Sequence, residues 1–279
     1  MRDFTTRDHS SSTLLDVVEQ FYDAVPRTGA VAEPHGTLTL FLRRGAGGPY
    51  YARPTLGHPG PVTVADIVAV RERQRALGVP EDLEWVVETS PGVQAAATGA
   101  GLDVRLCPLL VLTGTPAGPG ALAPGVTVGL VRPDDPDLAA VDAVAGIAFG
   151  AGGTAVGNVG PAERDAAAAR TSAAALARLR ARVADGEIVQ AVARGADGPL
   201  AIGTYQHAQG VAEIVGVATL PRARRQGLGA AVTVLLARHA RDAGLRVFLS
   251  ARDETVARVY ERVGFERVAT TGLASPPET

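Results

Sequence analysis

The sequence predicts a mixed α/β protein of two tandem units, each a mixed, mostly antiparallel sheet flanked by helices. Three observations carry this. Apolar runs of strand length alternate along the chain with segments of helical periodicity. An uncharged Pro/Gly-rich stretch, TPAGPGALAPG at 115–125, divides the chain. The elements before that stretch also recur after it. Residues 63–104 run helix, Ala-Leu-Gly, strand, Glu-Thr, helix, Gly-Leu, strand; residues 230–268 run helix, Ala-Gly-Leu, strand, Glu-Thr, helix, Gly-Phe, strand. The expected division is a first unit over 1–114, a linker over 115–125, a second unit over 126–271 and a tail over 272–279.

Taken in order, residues 1–12 are polar and read as frayed. Thr13 with Asp16 reads as the cap of a first helix, in which Leu14, Val17, Val18, Phe21 and Val25 keep helical spacing until Pro26 ends it. Thr37 to Arg43 is a strand, Gly45 to Pro49 a turn, and Tyr50 to Leu56 holds a further short strand. Thr63 caps a helix to Leu77, with Asp66 three residues on and Gly78 as the stop. Leu83 to Val87 is a strand, Pro91 to Gly99 a small-residue helix, and Leu102 to Leu112 one or two strands. After the linker come a strand at Val126 to Val131 and a helix at Leu138 to Phe149. The segment Gly150 to Gly160, with its five glycines, reads as a mobile loop, and one helix is expected over Ala162 to Ala184. Ile188 to Ala193, Leu200 to His207 and Val211 to Leu220 form a meander. A helix to Ala243, a strand at Val247 to Ser250, a helix at Thr255 to Val263 and a strand at Phe265 to Thr270 complete the order.

Composition excludes several function classes. Of 279 residues, 46% are hydrophobic and 20% charged, as in a folded chain long enough for two domains. All 27 basic residues are Arg, so a Walker-type phosphate loop, which needs Lys, is excluded. A net charge of −2 lacks the basic excess of a nucleic-acid binder, and no nucleic-acid partner is expected. Cys107 is the only cysteine, which rules out an intrachain disulfide and a Cys-based zinc cage; beside Pro108 it reads as a buried apolar residue. The five His show no close pairing, so no metal is expected. The N-terminus lacks a signal peptide's apolar core. The most apolar long stretch, Leu138 to Phe149, contains Asp142 and is too short to span a bilayer. A cytoplasmic location with no membrane partner is the expectation.

The chemistry-bearing stretch is EIVGVATLPRARRQGLGAA, Glu213 to Ala231. A strand leads through an Arg-rich turn with two glycines into a helix. Unpaired helix N–H groups and close backbone approach at glycine make such a turn an anion site. Arg222, Arg224 and Arg225 add local charge suited to a phosphate-rich small molecule. The equivalent turn in the first half, Gly57-His-Pro-Gly-Pro61, has prolines in place of N–H donors and no Arg.

The turn Arg224-Arg225-Gln226-Gly227-Leu228-Gly229-Ala230 resembles the Arg/Gln-x-x-Gly-x-Gly/Ala signature of GCN5-related N-acetyltransferases. Downstream, ETVARVYERVGF resembles that family's second motif, Asn-x-x-Ala-x-x-Leu-Tyr-x-x-x-Gly-Phe: Ala257, Tyr260, Gly264 and Phe265 are in step, while Glu254 and Val259 depart from the usual Asn and Leu. The resemblance covers roughly residues 126–270. It implies that backbone N–H groups of Arg225 to Gly229 hold the pyrophosphate of acetyl-CoA, with Arg224 or Arg225 adding charge. It also implies that the backbone of Val217, Ala218 and Thr219 aligns the pantetheine arm, and that Ala230 and Glu254 belong to the cofactor surface. Tyr260 is the implied donor to the leaving thiolate, or else a core aromatic in a stripe with Val256, Val259 and Val263. Glu213 is the implied base, or a solvated strand-end carboxylate. His207 could line the acceptor pocket or simply be exposed, and His239 reads as structural. The implied function is an acetyl-CoA-dependent transferase acting on a primary amine of a small molecule, as a monomer or homodimer, with the first unit a degenerate copy. The alternatives are an acyl-CoA-binding sensor, or a transferase using a longer acyl-CoA.

Overall fold

The computed structural model describes residues 6–45, 51–58, 60–118 and 120–277, with side chains from residue 14 onward. It has mixed sheets flanked by helices, the fold class that the sequence predicts. The elements up to the Pro/Gly-rich stretch are α1 (Thr6–Gly29), β1 (Ala30–His35), β2 (Leu38–Arg43), β3 (Tyr51–Pro54), α2 (Val64–Leu77), β4 (Leu83–Val86), α3 (Val93–Gly99) and β5 (Asp103–Leu112). After it come β6 (Thr127–Leu130), α4 (Leu138–Gly150), α5 (Pro161–Ala168), α6 (Ala173–Ala184), β7 (Ile188–Gly195), β8 (Gly198–Ala208) and β9 (Val211–Thr219). The chain ends with α7 (Leu228–Asp242), β10 (Arg246–Ser250), α8 (Glu254–Val263) and β11 (Phe265–Ser275). These elements form two compact units. One comprises residues 1–110, 250–257 and 267–279, the other residues 111–249 and 258–266.

In the first unit the strand order is β1-β2-β3-β4-β11-β5. Strands β1 to β3 pair antiparallel, β3 and β4 pair parallel at Ala52↔Leu83, and β4 pairs antiparallel with β11. Helix α2 is capped at both ends, as its sequence predicts. The Thr63 hydroxyl accepts from Asp66 N–H, the Asp66 carboxylate accepts from Thr63 N–H, and Gly78 takes the left-handed conformation at φ 64°. Trp85, Leu38, Leu40, Ile67, Val70 and Val93 pack into one core cluster.

Several expectations here need correction. Helix α1 already includes Thr6 and runs through Pro26, which falls in its final turn, where a missing N–H costs one bond and the helix is ending anyway. Strand β1 escaped detection because Glu33 and Pro34 break its apolar pattern; it ends the sheet order, the place where a sheet tolerates Pro. The turn expected at 45–49 lies, beyond Gly45, outside the described residues. The expected tail is strand as far as Ser275, with Gly272 opposite Trp85. A Cβ at Gly272 would stand 2.2 Å from Trp85 Cε2, so only glycine fits beneath the indole.

In the second unit the order is β10-β9-β8-β7-β6. The predicted meander is present as β7 to β9, paired antiparallel in sequence order; β6 adds antiparallel to β7, and β10 joins β9 in parallel. Helix α7 approaches β8 so closely that a Cβ at Gly203 would meet Val232 Cγ1 at 2.8 Å. The single helix expected over 162–184 is two helices, because Ser172 starts a new one by accepting a hydrogen bond from Ala175 N–H (3.2 Å). Among the described residues no helix is long and apolar enough to cross a membrane.

Candidate active site

The site grows from the way β9 parts from β10. Its parallel register with β10 runs Val211↔Arg246, Ala212↔Val247, Glu213↔Phe248 and ends there, while β9 continues to Thr219. The other edge of β9 is irregular. Thr204 faces Val215 and Ile202 faces Ala218, so Gly203 alone stands against Gly216 and Val217. This is a β-bulge with Gly216 left-handed at φ 64°. Beyond the bulge β8 stays paired with Ala218 and Thr219, so it is β10 alone that releases the C-terminal half of β9, and the backbone polar groups on that edge become available to an incoming extended ligand. Gly216, a glycine in mid-strand, is the sequence signal for such a bulge.

Beyond Thr219 the chain turns through Pro221 to Ala223, and two residues then take left-handed conformations, Arg225 at φ 67° and Gly227 at φ 77°. Gly227 is the N-cap of α7 and brings no side-chain cap. The first helical bond runs from Ala231 N–H to Gly227 O (3.0 Å), which leaves the N–H groups of Leu228, Gly229 and Ala230 ahead of the ladder. A Cβ added at Gly229 would lie 3.6 Å from both Val217 Cγ1 and Thr219 Oγ1. The predicted phosphate turn and the predicted pantetheine strand are therefore adjacent.

The arginines divide their work. Arg224 donates from Nη1 to Gly152 O and Ala155 O (3.0 Å each), from Nη2 to Ala148 O (2.9 Å), and from Nε to Thr219 O (3.3 Å). It thus satisfies a last-turn carbonyl of α4 and ties the glycine-rich segment to the turn. Gly157 N–H to Pro221 O and Arg222 N–H to Val159 O extend the same seam. The segment expected as a mobile loop is anchored; it presents Val156 (61% exposed) to solvent, and Phe149 (60%), near the end of α4, is exposed beside it in sequence. Arg225 is exposed and makes no hydrogen bond or ion pair among the described residues. Arg222 is exposed as well and packs over Gly160. Gln226 is also at the surface.

Glu213 is only 7% exposed and sits at the last paired position before β9 and β10 diverge; Gln206 Nε2 donates to its carboxylate at 3.2 Å. It is not a solvated strand-end residue. Tyr260 is 8% exposed, packs edge-on to Phe265 with ring centroids 6.2 Å apart, and its hydroxyl has no hydrogen-bond partner among the described residues. Burial pushes its phenol up to about 12. Glu254 belongs to the other compact unit, where Arg267 Nη1 donates to it at 2.7 Å. His207 is exposed and bonds Gly186 O, and His239 pairs with the Tyr205 hydroxyl through Nδ1 (2.9 Å). Cys107 is buried, and burial raises its thiol.

Residues 171–265, which include β7 to β10, the turn and Tyr260, match the acetyltransferase (GNAT) family. A GCN5-related N-acetyltransferase from Kribbella flavida has a similar fold, with TM-score 0.67 and 24% identity over 95% of this chain and 96% of that one. A GCN5-related N-acetyltransferase-like protein from Streptococcus suis superposes with TM-score 0.56 and 12% identity over 96% and 98%. A tandem GNAT protein from the clavulanic acid biosynthesis pathway gives 0.53 and 18% over 87% and 79%. No curated protein matches the chain. The match to the GNAT family, whose general chemistry is acyl transfer, is thus carried by residues 171–265, and the solved structures share the fold of the chain.

Proposed function

We propose that the protein transfers an acetyl group from acetyl-CoA to a primary amine of a small molecule, using the second unit. The observation that carries this reading is the uncapped N-terminus of α7, set against the released end of β9. Three unladdered N–H groups, two left-handed turn residues and the unengaged Arg225 suit a pyrophosphate, while the edge of Val217 to Thr219 that β10 leaves unpaired suits an extended amide-bearing arm. Acetyl-CoA would supply the activated thioester carbonyl. Glu213, at the fork of β9 and β10, is the group to take the proton released by the attacking amine, directly or through water. Tyr260, held protonated by burial, is the group to return a proton to the departing sulfur. Its high affinity for the proton is matched by a thiolate formed in the same low-dielectric space. The first unit, with Ala97 where the second has Tyr260 and prolines in place of turn donors, is the silent copy.

The test is an amine screen with purified protein, following free thiol release. Turnover with at least one small amine, lost in Tyr260→Phe while acetyl-CoA affinity is kept, is the expected result. Tight acetyl-CoA binding with no turnover on any amine would replace the enzyme reading with a binding module. Preference for longer acyl-CoAs would change the donor.

A further inference from the structure

The first unit contains a cleft of its own, of about 560 Å³, within the range of small-molecule sites. It lies beyond the C-terminal ends of the parallel pair β3 and β4. These two strands meet at Ala52↔Leu83 and then lead into separate connections, of which Thr55 to His58, Gly60 to Val62 and Thr89 to Gly92 form its walls. A crevice outside the carboxyl ends of diverging parallel strands is where α/β proteins place ligands.

Its chemistry is opposite to that of the α7 turn. The N-terminus of α2 is already occupied by Asp66, whose carboxylate accepts from Thr63 N–H (2.9 Å) and Thr63 Oγ1 (2.7 Å); those bonds hold it below the usual carboxylate range. Pro54 and Pro61 contribute no N–H, and no arginine lines the cleft among the described residues. A phosphate would therefore find neither an open helix end at α2 nor an arginine on the walls among the described residues. What the walls offer is acceptor groups. Asp16 and Glu19 stand three apart on α1, on one helical face. Glu19 is held rigidly: Arg53 Nη2, on a side chain 2% exposed, donates to it at 2.8 Å, and the Thr89 hydroxyl donates at 2.6 Å. Arg53 is not itself on the wall. Asp16 is exposed and has no partner among the described residues. Ser90 and the His58 ring add polar groups, and Leu56, Val62 and Val93 add an apolar surface.

We propose that this cleft binds a small, phosphate-free organic cation, a protonated amine with an apolar body, whose ammonium group sits against Asp16 and Glu19. The site is independent of the acyl-transfer reading. Titration calorimetry of the full chain with 2-phenylethylammonium, and with 2-phenylethanol and 3-phenylpropionate as uncharged and anionic counterparts, tests it. The ammonium compound should bind one site per chain and the other two at least tenfold more weakly. Asp16→Asn should weaken the ammonium compound by several-fold and Asp16→Lys should abolish its binding. Both variants should keep acetyl-CoA affinity and the parent melting temperature, because Asp16 lies on an exposed helical face. The proposal is overturned if the ammonium compound gives no heat at millimolar concentration, if the alcohol or carboxylate binds equally well, or if Asp16→Lys still binds it. In that last outcome the amine occupies another site, such as an acceptor pocket.

Discussion

The connections β3 to α2 and β9 to α7 are built to one plan and differ at the helix end. Each leaves a strand that pairs in parallel with the next, passes a proline-containing turn and enters a helix. At α2 the N-cap is Thr63 and the third helical residue is Asp66, so hydroxyl and carboxylate satisfy the first N–H groups from within. At α7 the N-cap is Gly227 and the third residue is Ala230, and no side chain does so. A capped helix end contributes about 1 kcal/mol to stability. An uncapped one forgoes that contribution and keeps its donors for a ligand. Stability and anion binding compete for the same N–H groups, and the two halves of the chain have settled the competition differently.

The same contrast holds for the tyrosine. Tyr260→Phe is expected to lower kcat on the best amine by about 100-fold, the low end for a lost general acid, with little change in acetyl-CoA affinity. An unchanged kcat would return Tyr260 to the core stripe. Because the folded-state phenol sits above its unfolded value of about 10, its contribution to stability is fully present below pH 10 and is lost as pH rises toward 12. Stability in the parent should therefore fall more steeply above pH 10 than in Tyr260→Phe, as followed by urea unfolding.

Ala230→Asp installs at α7 the carboxylate that α2 already has. Acetyl-CoA affinity should drop on the order of 30-fold, through repulsion and competition for the N–H donors, while the melting temperature holds or rises. Undiminished affinity would mean that the phosphates bind elsewhere. The arginines should separate by readout. Arg225→Ala should weaken acetyl-CoA by about five- to tenfold and leave the 148–159 segment intact. Arg224→Ala should speed proteolysis and hydrogen exchange in that segment, with Arg224→Lys failing to restore it, since one ammonium group cannot reach four carbonyls. The smallest effect belongs to Thr63→Ala, about 1 kcal/mol of stability with no gain in acetyl-CoA binding. A second acetyl-CoA site appearing in that variant would show that the cap alone had silenced the first unit.

Much of this was legible in the sequence, for local reasons. The ends of α2 were readable because Thr63, Asp66 and Gly78 act within one turn of the helix they bound. The turn from Arg224 to Ala230 was readable because glycine spacing and helix onset are local too. What escaped was set by distant partners. The bulge at Gly216 depends on register with Gly203. The burial of Glu213 depends on where β10 stops pairing. The role of Arg224 depends on carbonyls some seventy residues earlier in the chain. Strand β1, with its Pro and Glu, is a strand only because β2 pairs with it.

The central claim is that one helix end of the two is open to a pyrophosphate. Calorimetric titration of the full chain with acetyl-CoA, beside Ala230→Asp, tests it most directly. One site per chain in the parent, strongly weakened in the variant, is the expected result. Two sites in the parent, or one site indifferent to the new carboxylate, would contradict it.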